Sequence, residues 1–502
     1  MTSGSAAGGH TSSAGKYLST AALGCTTAAA IVTSLSGLPA MAEQELTMFF
    51  YIGFAVLLYL IPAGLVSAEL GSAYSGESGG LYSWIGGAFG KRAGFAVMFL
   101  SWIQAMVFLP TGLSFAAAGV AFALDRPDLA RDHVFVGVFA VVGIWLCTAI
   151  ALMGNRFAAR VTQAGFLIGT AVPGMVLIGL FGWWLVAGHP IGWEHTTDPA
   201  VTVQRDGHDA PRVLPALIGL SGLAFLGNIL ENFTGIESQA VHATELREPG
   251  RQYPIVILIA AVISAVLFSL GALAVAGIVP ADRINLNSGV FDALHAGFGT
   301  LFGIGWPVLI LGAMCAYGAI AGALAWTSGP SRGMLATARD GMLPPVLRRV
   351  NSRGVQTNIL LAQAVAVTLL CTPYFVLGDV GTALFLIVAV AAGLDMIIYL
   401  FMYAAAIHLR YTRPDLPRPF RVPGGRSGMW FFAGTGFAAM VFALTTAFVP
   451  PEQLPIGSPA LYVTLVAGGT VICCAIPILV ERLRNPTWSV PVDDPAVEEN
   501  RR

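Results

Sequence analysis

An all-α polytopic membrane protein with 12 transmembrane helices is the fold class this sequence predicts, and three observations predict it. Of the 502 residues, 56% are hydrophobic and only 11% charged, with a mean hydropathy of +0.75, against roughly 45–50% apolar and about 25% charged in soluble domains. A water-exposed surface for so long a chain needs more charge than this, which excludes an ordinary cytosolic enzyme. Apolar runs able to cross a hydrocarbon layer of about 30 Å, roughly 20 residues each, recur along the whole chain. Basic residues gather in alternate connecting loops, as they do on the cytoplasmic side of a membrane. The formal net charge of −1 gives no basis for a nucleic-acid partner; the expected partner is the lipid bilayer.

Taken in order, the runs lie at 19–42, 47–70, 94–124, 133–153, 163–187, 214–241, 255–279, 301–328, 358–376, 381–407, 430–449 and 461–480. They are continuous apolar stretches, not the alternating ten-residue segments of a β-barrel. Met1–Lys16 is small and polar and is followed by no clear cleavage site, so 1–18 reads as a free cytoplasmic tail and not a signal peptide. With a cytoplasmic N-terminus, all but five of the 26 Lys and Arg residues fall inside, the exceptions being Arg126, Arg131, Arg205, Arg212 and Arg283. The richest inner loops carry Arg332, Arg339, Arg348, Arg349 and Arg353, and then Arg410, Arg413, Arg418, Arg421 and Arg426. An even number of spans then puts both termini in the cytoplasm of a cell whose inner membrane holds the protein.

The six cysteines all sit in apolar runs without metal-ligand spacing and read as packing residues; no metal, cofactor or catalytic residue is expected. His133, His189, His195, His208 and His295 belong to the outer side and read as solvated loop residues.

Function is expected where the membrane rule is broken, because irregular backbone at membrane depth is tolerated only when buried in protein or lining a polar cavity. Two spans break it. In the first, a helical run meets Ser34-Leu35-Ser36-Gly37-Leu38-Pro39; in the sixth, another meets Gly227-Asn228-Ile229-Leu230-Glu231-Asn232-Phe233-Thr234-Gly235-Ile236-Glu237. Glycine and proline can simply kink a helix, but interruptions in spans one and six are what two halves of five spans each would produce. An odd number of spans per half makes the repeats inverted, with the binding site at the paired interruptions. The organisation is therefore a first repeat over 19–187, an extracytoplasmic loop at 188–213, a second repeat over 214–409, a cytoplasmic loop at 410–429, two further helices within 430–483 and a cytoplasmic tail at 484–502.

Three acids lie deep in these spans, Glu231, Glu237 and Asp395, whereas Glu69 lies at the inner end of span two; no Lys or Arg falls within a span to pair with the three. Intramembrane acids of this kind mark substrate paths or proton relays. Asp395 shares a helical stripe with Tyr399 and Tyr403. Trp102, Gln104 and Tyr317 are further candidates for the cavity wall.

The sequence Phe233-Thr234-Gly235-Ile236-Glu237, continuing to Glu245-Leu246-Arg247-Glu248-Pro249-Gly250-Arg251-Gln252-Tyr253-Pro254, resembles the helix-six break and following loop of the amino acid/polyamine/organocation transporters, most closely their bacterial glutamate/GABA antiporter branch. Gly333 to Pro344 is similar to that family's loop after helix eight, and Ser67 to Tyr82 to its helix-two end. The resemblance implies a leucine-transporter-type fold, five-plus-five inverted helices and two more, working by alternating access. It also implies site roles: a substrate carboxylate at the N–H groups of the half-helix beginning near Gly37, carbonyls near Ser34, Asn232 and Phe233 for its amine, Ser36, Glu231, Thr234, Gly235 and Tyr317 around them, Phe233 as a gate, and Glu237 with Asp395 in coupling. The implied activity is exchange of an amino acid such as glutamate for an amine such as GABA. Proton coupling and Na+ coupling remain open beside exchange. The first break departs from the commonest Gly-Ser-Gly pattern, and Glu231 is an acid just before the second, so a proton-coupled permease for a cationic amino acid or polyamine is the alternative; a non-transporting amino acid sensor is a third reading. The short tail at 484–502 either stands free or caps the inner vestibule.

Overall fold

The computed structural model describes residues 20–74, 77, 79–194, 201–205, 208–215, 223–239, 248–377, 379–450, 458–485 and 488. Among them ten helices are long and apolar enough to cross a bilayer: Glu45–Ala73, Lys91–Ala123, His133–Leu152, Asn155–Val186, Arg251–Ile278, Trp306–Arg339, Thr357–Leu377, Val380–Thr412, Gly425–Ala447 and Pro459–Arg482. They coincide with the runs expected for spans two to five and seven to twelve. The remaining two runs stop part-way, as the helix breakers in them dictate. The first gives helix Thr20–Ile31, a non-helical stretch and then Leu38–Ala42. The other gives Phe225–Glu231 and Ile236–Gln239, while 216–222 and 240–247, including Glu245 and Arg247 of the loop motif, lie outside the described residues.

Burial separates centre from periphery. The most apolar windows of Lys91–Ala123 and Val380–Thr412 are 83% and 72% buried, against 17% for Pro459–Arg482, so spans three and ten form the core while the last helix offers most of its apolar surface to the lipid. Two of the long helices widen before a proline: π-helical turns cover Ala55–Leu60 ahead of Pro62 and Phe166–Ala171 ahead of Pro173. A proline lacks an N–H and crowds the carbonyl four residues earlier, here Leu58 and Gly169, and the wider turn absorbs both defects.

Three expectations need correction. The run at 301–328 is not one element: a separate helix, Gly289–Phe302, ends at Gly303 in the left-handed conformation (φ 67°), and the long helix begins only at Trp306, with Pro307 in its first turn. That helix continues to Arg339, so Arg332 and Arg339 stand on helix and not in a loop. Nor is the chain wholly α-helical, since Thr202–Arg205 pairs antiparallel with His208–Pro211, Val203 facing Ala210, in the connection before the sixth run.

At the arginine-rich face the segment after Thr412 folds back over the helix ends. Glu69 accepts from Arg410 Nε at 2.6 Å and from the Val422 N–H at 2.7 Å, and Arg418 Nε forms an ion pair with it at 3.2 Å. The Phe420 N–H donates to Ser72 Oγ at 3.3 Å, and its ring packs 6.0 Å from that of Tyr253. On the same face Arg484 Nε donates to the Gly341 carbonyl at 3.0 Å and Arg348 donates to the Trp488 carbonyl. The remainder of the tail lies outside the described residues.

Candidate functional site

At the first break the chain leaves helix after Val32, whose N–H still reaches the Ala28 carbonyl at 2.8 Å. Ser34 and Ser36 bond to each other through their hydroxyls at 2.8 Å, and the Ser36 N–H donates to Ser34 Oγ at 3.3 Å. These local bonds compete with helix, as short hydroxyl side chains do. The N–H groups of Leu35 and Gly37 find no partner among the described residues. The helix that restarts at Leu38 has five residues, which is too little for a strong dipole.

At the second break the turn closes on itself. The N–H groups of Asn232, Phe233 and Thr234 each bond back three residues, and Thr234 Oγ1 adds a second bond to the Glu231 carbonyl at 2.9 Å. Gly235 then takes φ 101°, a conformation that L side chains rarely adopt. The two breaks touch. A Cβ placed on Gly37 would lie 1.9 Å from Asn232 Oδ1, and Asn232 is itself held by Nδ2 donating to the Asn228 carbonyl at 2.7 Å.

Around this contact are two adjoining cavities, one smaller and one larger. Ser34, Ser36, Glu231, Asn232 and Thr234 line the smaller, with Phe108, Phe268 and Trp326 supplying its aromatic wall. The larger shares Ser36, Phe108 and Asn232, adds Gly37, and continues past Phe385 to Leu286, away from the arginine-rich face.

Glu231 is 3% exposed. Its Oε1 accepts from Gln104 Nε2 at 2.7 Å, while its Oε2, also buried, has no partner. Glu237 stands differently: the Tyr399 hydroxyl donates to its Oε2. Asp395 is buried in Val380–Thr412, within Coulombic reach of both glutamates. Among the described residues no Lys or Arg forms an ion pair with any of the three.

Not every expected residue reaches the cavity. Phe233 is fully buried behind the wall, its ring 4.9 Å from that of Phe268. Tyr317 points elsewhere, its hydroxyl donating to the Val161 carbonyl at 3.1 Å. Trp102 donates to Gln363 Oε1 at 2.7 Å, an inter-helical tie. Conversely, Phe108, Phe268 and Trp326 escaped the sequence reading, because one aromatic residue among many on an apolar helix carries no sign of facing a cavity. Asn228 and Thr33 are the detectable omissions, polar residues beside each break.

A model of amino acid permeases matches residues 16–472. The chain belongs to the amino acid permease family. An uncharacterised transporter of Legionella pneumophila is 34% identical to this permease over 448 residues, 89% of this chain and 93% of the relative. A glutamate/gamma-aminobutyrate antiporter of Lactococcus lactis is 27% identical over 474 residues, 93% of this chain and 91% of the relative. A probable agmatine/putrescine antiporter of the same species is 22% identical, covering 85% of this chain and 88% of its own length. This permease is thus a multi-pass membrane transporter whose relatives are named for amino acids and amines.

Proposed function

We propose that this permease is a secondary active antiporter that exchanges an amino acid for an amine or a second amino acid by alternating access. The observation that carries the reading is the meeting of two helix breaks, Gly37 against Asn232, beside a cavity of polar and aromatic residues. Backbone N–H groups at Leu35 and Gly37 suit a substrate carboxylate, and the acceptors around Glu231 and Asn232 suit an ammonium. In this reading the broken helices complete a set of 12 spans in two inverted repeats, 19–187 and 214–409, with 430–483 outside them and both termini on the cytoplasmic side of the inner membrane. The relatives' names frame two types of exchange, glutamate for GABA and agmatine for putrescine, and the sequence resemblance favours the first. Phe233, through its contact with the wall residue Phe268, is the proposed gate. Glu237 and Asp395 are the proposed coupling residues, being intramembrane carboxyl groups of the kind that relay protons.

Counterflow in proteoliposomes tests this. Labelled substrate is expected to accumulate only when the lumen holds an exchangeable partner. Accumulation in empty vesicles under a pH gradient would instead identify a proton-coupled permease, and saturable binding without entry a sensor.

A further inference from the structure

Among the described residues the one ionisable side chain that lines the two cavities is a carboxyl group, that of Glu231. Glu231 lines the smaller cavity, its Oε2 is buried without a partner, and no Lys or Arg lines either cavity among the described residues. Gln104 fixes the carboxylate through Oε1 at 2.7 Å, but as a neutral amide it leaves the charge whole. A buried carboxylate with an empty hydrogen-bonding position is costly, and it is stabilised by a cation that also hydrogen-bonds. The other lining groups fit such a cation: the Ser34 and Ser36 hydroxyls accept hydrogen bonds, and Phe108, Phe268 and Trp326 are the aromatic neighbours an ammonium favours.

Resting on the exchanger reading above, we infer that Glu231 is the ammonium-binding carboxylate of this permease, that Gln104 is its positioning residue, and that the substrates are amines and basic amino acids in preference to acidic ones. A basic amino acid, with a net charge of plus one, neutralises an ionised Glu231, and a diamine, with two ammonium groups, pairs one of them with the carboxylate and leaves the cavity at plus one. A zwitterion such as GABA brings a carboxylate along with its ammonium and leaves the cavity with one net negative charge. Glutamate brings two carboxylates against a single ammonium and raises the net charge to minus two, with no lining cation to meet it. The charge balance therefore orders the substrates as cationic, zwitterionic and acidic.

The test is counterflow by the full-length protein in proteoliposomes with glutamate, GABA, arginine, ornithine, lysine and putrescine as the internal and external partners. Half-saturation by putrescine or ornithine is expected at least tenfold below that of glutamate. Glu231→Gln should weaken putrescine at least tenfold while changing GABA less than threefold, and Gln104→Leu should narrow the putrescine-to-GABA ratio in the same direction by a smaller factor. Preference for glutamate in the unaltered protein, or equal loss of putrescine and GABA in Glu231→Gln, overturns the inference and leaves the exchanger standing. Absence of counterflow with all six compounds defeats the exchanger reading instead. Should Glu231→Gln fail to fold, the order of substrates in the unaltered protein decides by itself.

Discussion

Glu69 and Glu231 are both carboxylates with 2–3% of their surface exposed, yet their surroundings are opposite. Glu69, at the arginine-rich face, is met by two guanidinium groups and a backbone N–H. Glu231, beside the helix breaks, has one amide on one oxygen and nothing on the other. The first is a closed site whose polar groups have found each other, and the second keeps one hydrogen-bonding position open beside a cavity. The difference teaches that burial alone does not single out an acid as a place for a ligand, whereas an open hydrogen-bonding position beside a cavity does.

Breaking the closed site should have the largest effect. Glu69→Ala removes the carboxylate that faces Arg410 and Arg418, 10% and 4% exposed, and leaves them only backbone carbonyls as partners among the described residues; removing one partner of a buried ion pair costs about 3–5 kcal/mol. The thermal midpoint of the detergent-purified protein should fall steeply, or folded yield should collapse. Glu231→Gln keeps its bond to Gln104 with a flipped amide and removes an unpaired charge, so its midpoint should hold or rise. Equal destabilisation by the two substitutions would erase the distinction between anchor and open site.

The open site can also be perturbed without touching charge. Gly37→Ala introduces a Cβ 1.9 Å from Asn232 Oδ1, and the Asn232 side chain is restrained by its bond to the Asn228 carbonyl. Exchange should fall at least tenfold with the fold retained. Asn232→Ala makes room for that Cβ at the expense of its own contacts, so the double variant should be no worse than Gly37→Ala alone, a non-additivity expected of touching residues. Additive losses in counterflow would mean that the two breaks act independently.

Much of this arrangement is legible in the sequence, and the limits have physical causes. Long apolar runs locate ten helices because crossing a bilayer imposes a length, and Gly, Pro and polar residues inside such runs locate both breaks. What joins distant segments is not legible: Arg410 and Arg418 read as topology determinants until Glu69 is seen between them, and Gly37 gives no hint that Asn232 is its neighbour. Tyr317 shows the converse, a polar aromatic residue whose sequence position suits the cavity but whose helix turns it toward Val161. Gly303, Gly305 and Pro307 were visible breakers, yet the apolar residues on either side let the eighth run be read across them.

Between the two glutamates stands a partly satisfied carboxylate, Asp292, on helix Gly289–Phe302, away from the arginine-rich face. The Ser288 hydroxyl donates to its Oδ2 at 2.7 Å, and Arg131 Nη2 lies 4.0 Å away. Burial holds the Asp292 carboxyl above its ordinary value of 3.8, while Ser288, Arg131 and His295 pull in the opposite direction without cancelling it. A raised value in the folded state means that the group's contribution to stability is fully present below 3.8 and is lost as pH rises through the folded value. Asp292→Asn keeps an acceptor for Ser288 and removes the titration, so the thermal midpoint measured upward from about pH 4 should decline less than in the unaltered protein, by less than one proton's worth of slope. This is the smallest of the expected effects because the Asp292 side chain is 26% exposed, and the solvent that reaches it weakens the burial that raises it. A steeper decline in Asp292→Asn would mean that the ion pair with Arg131 outweighs burial, and Asp292 would then belong with Glu69 among the satisfied carboxylates.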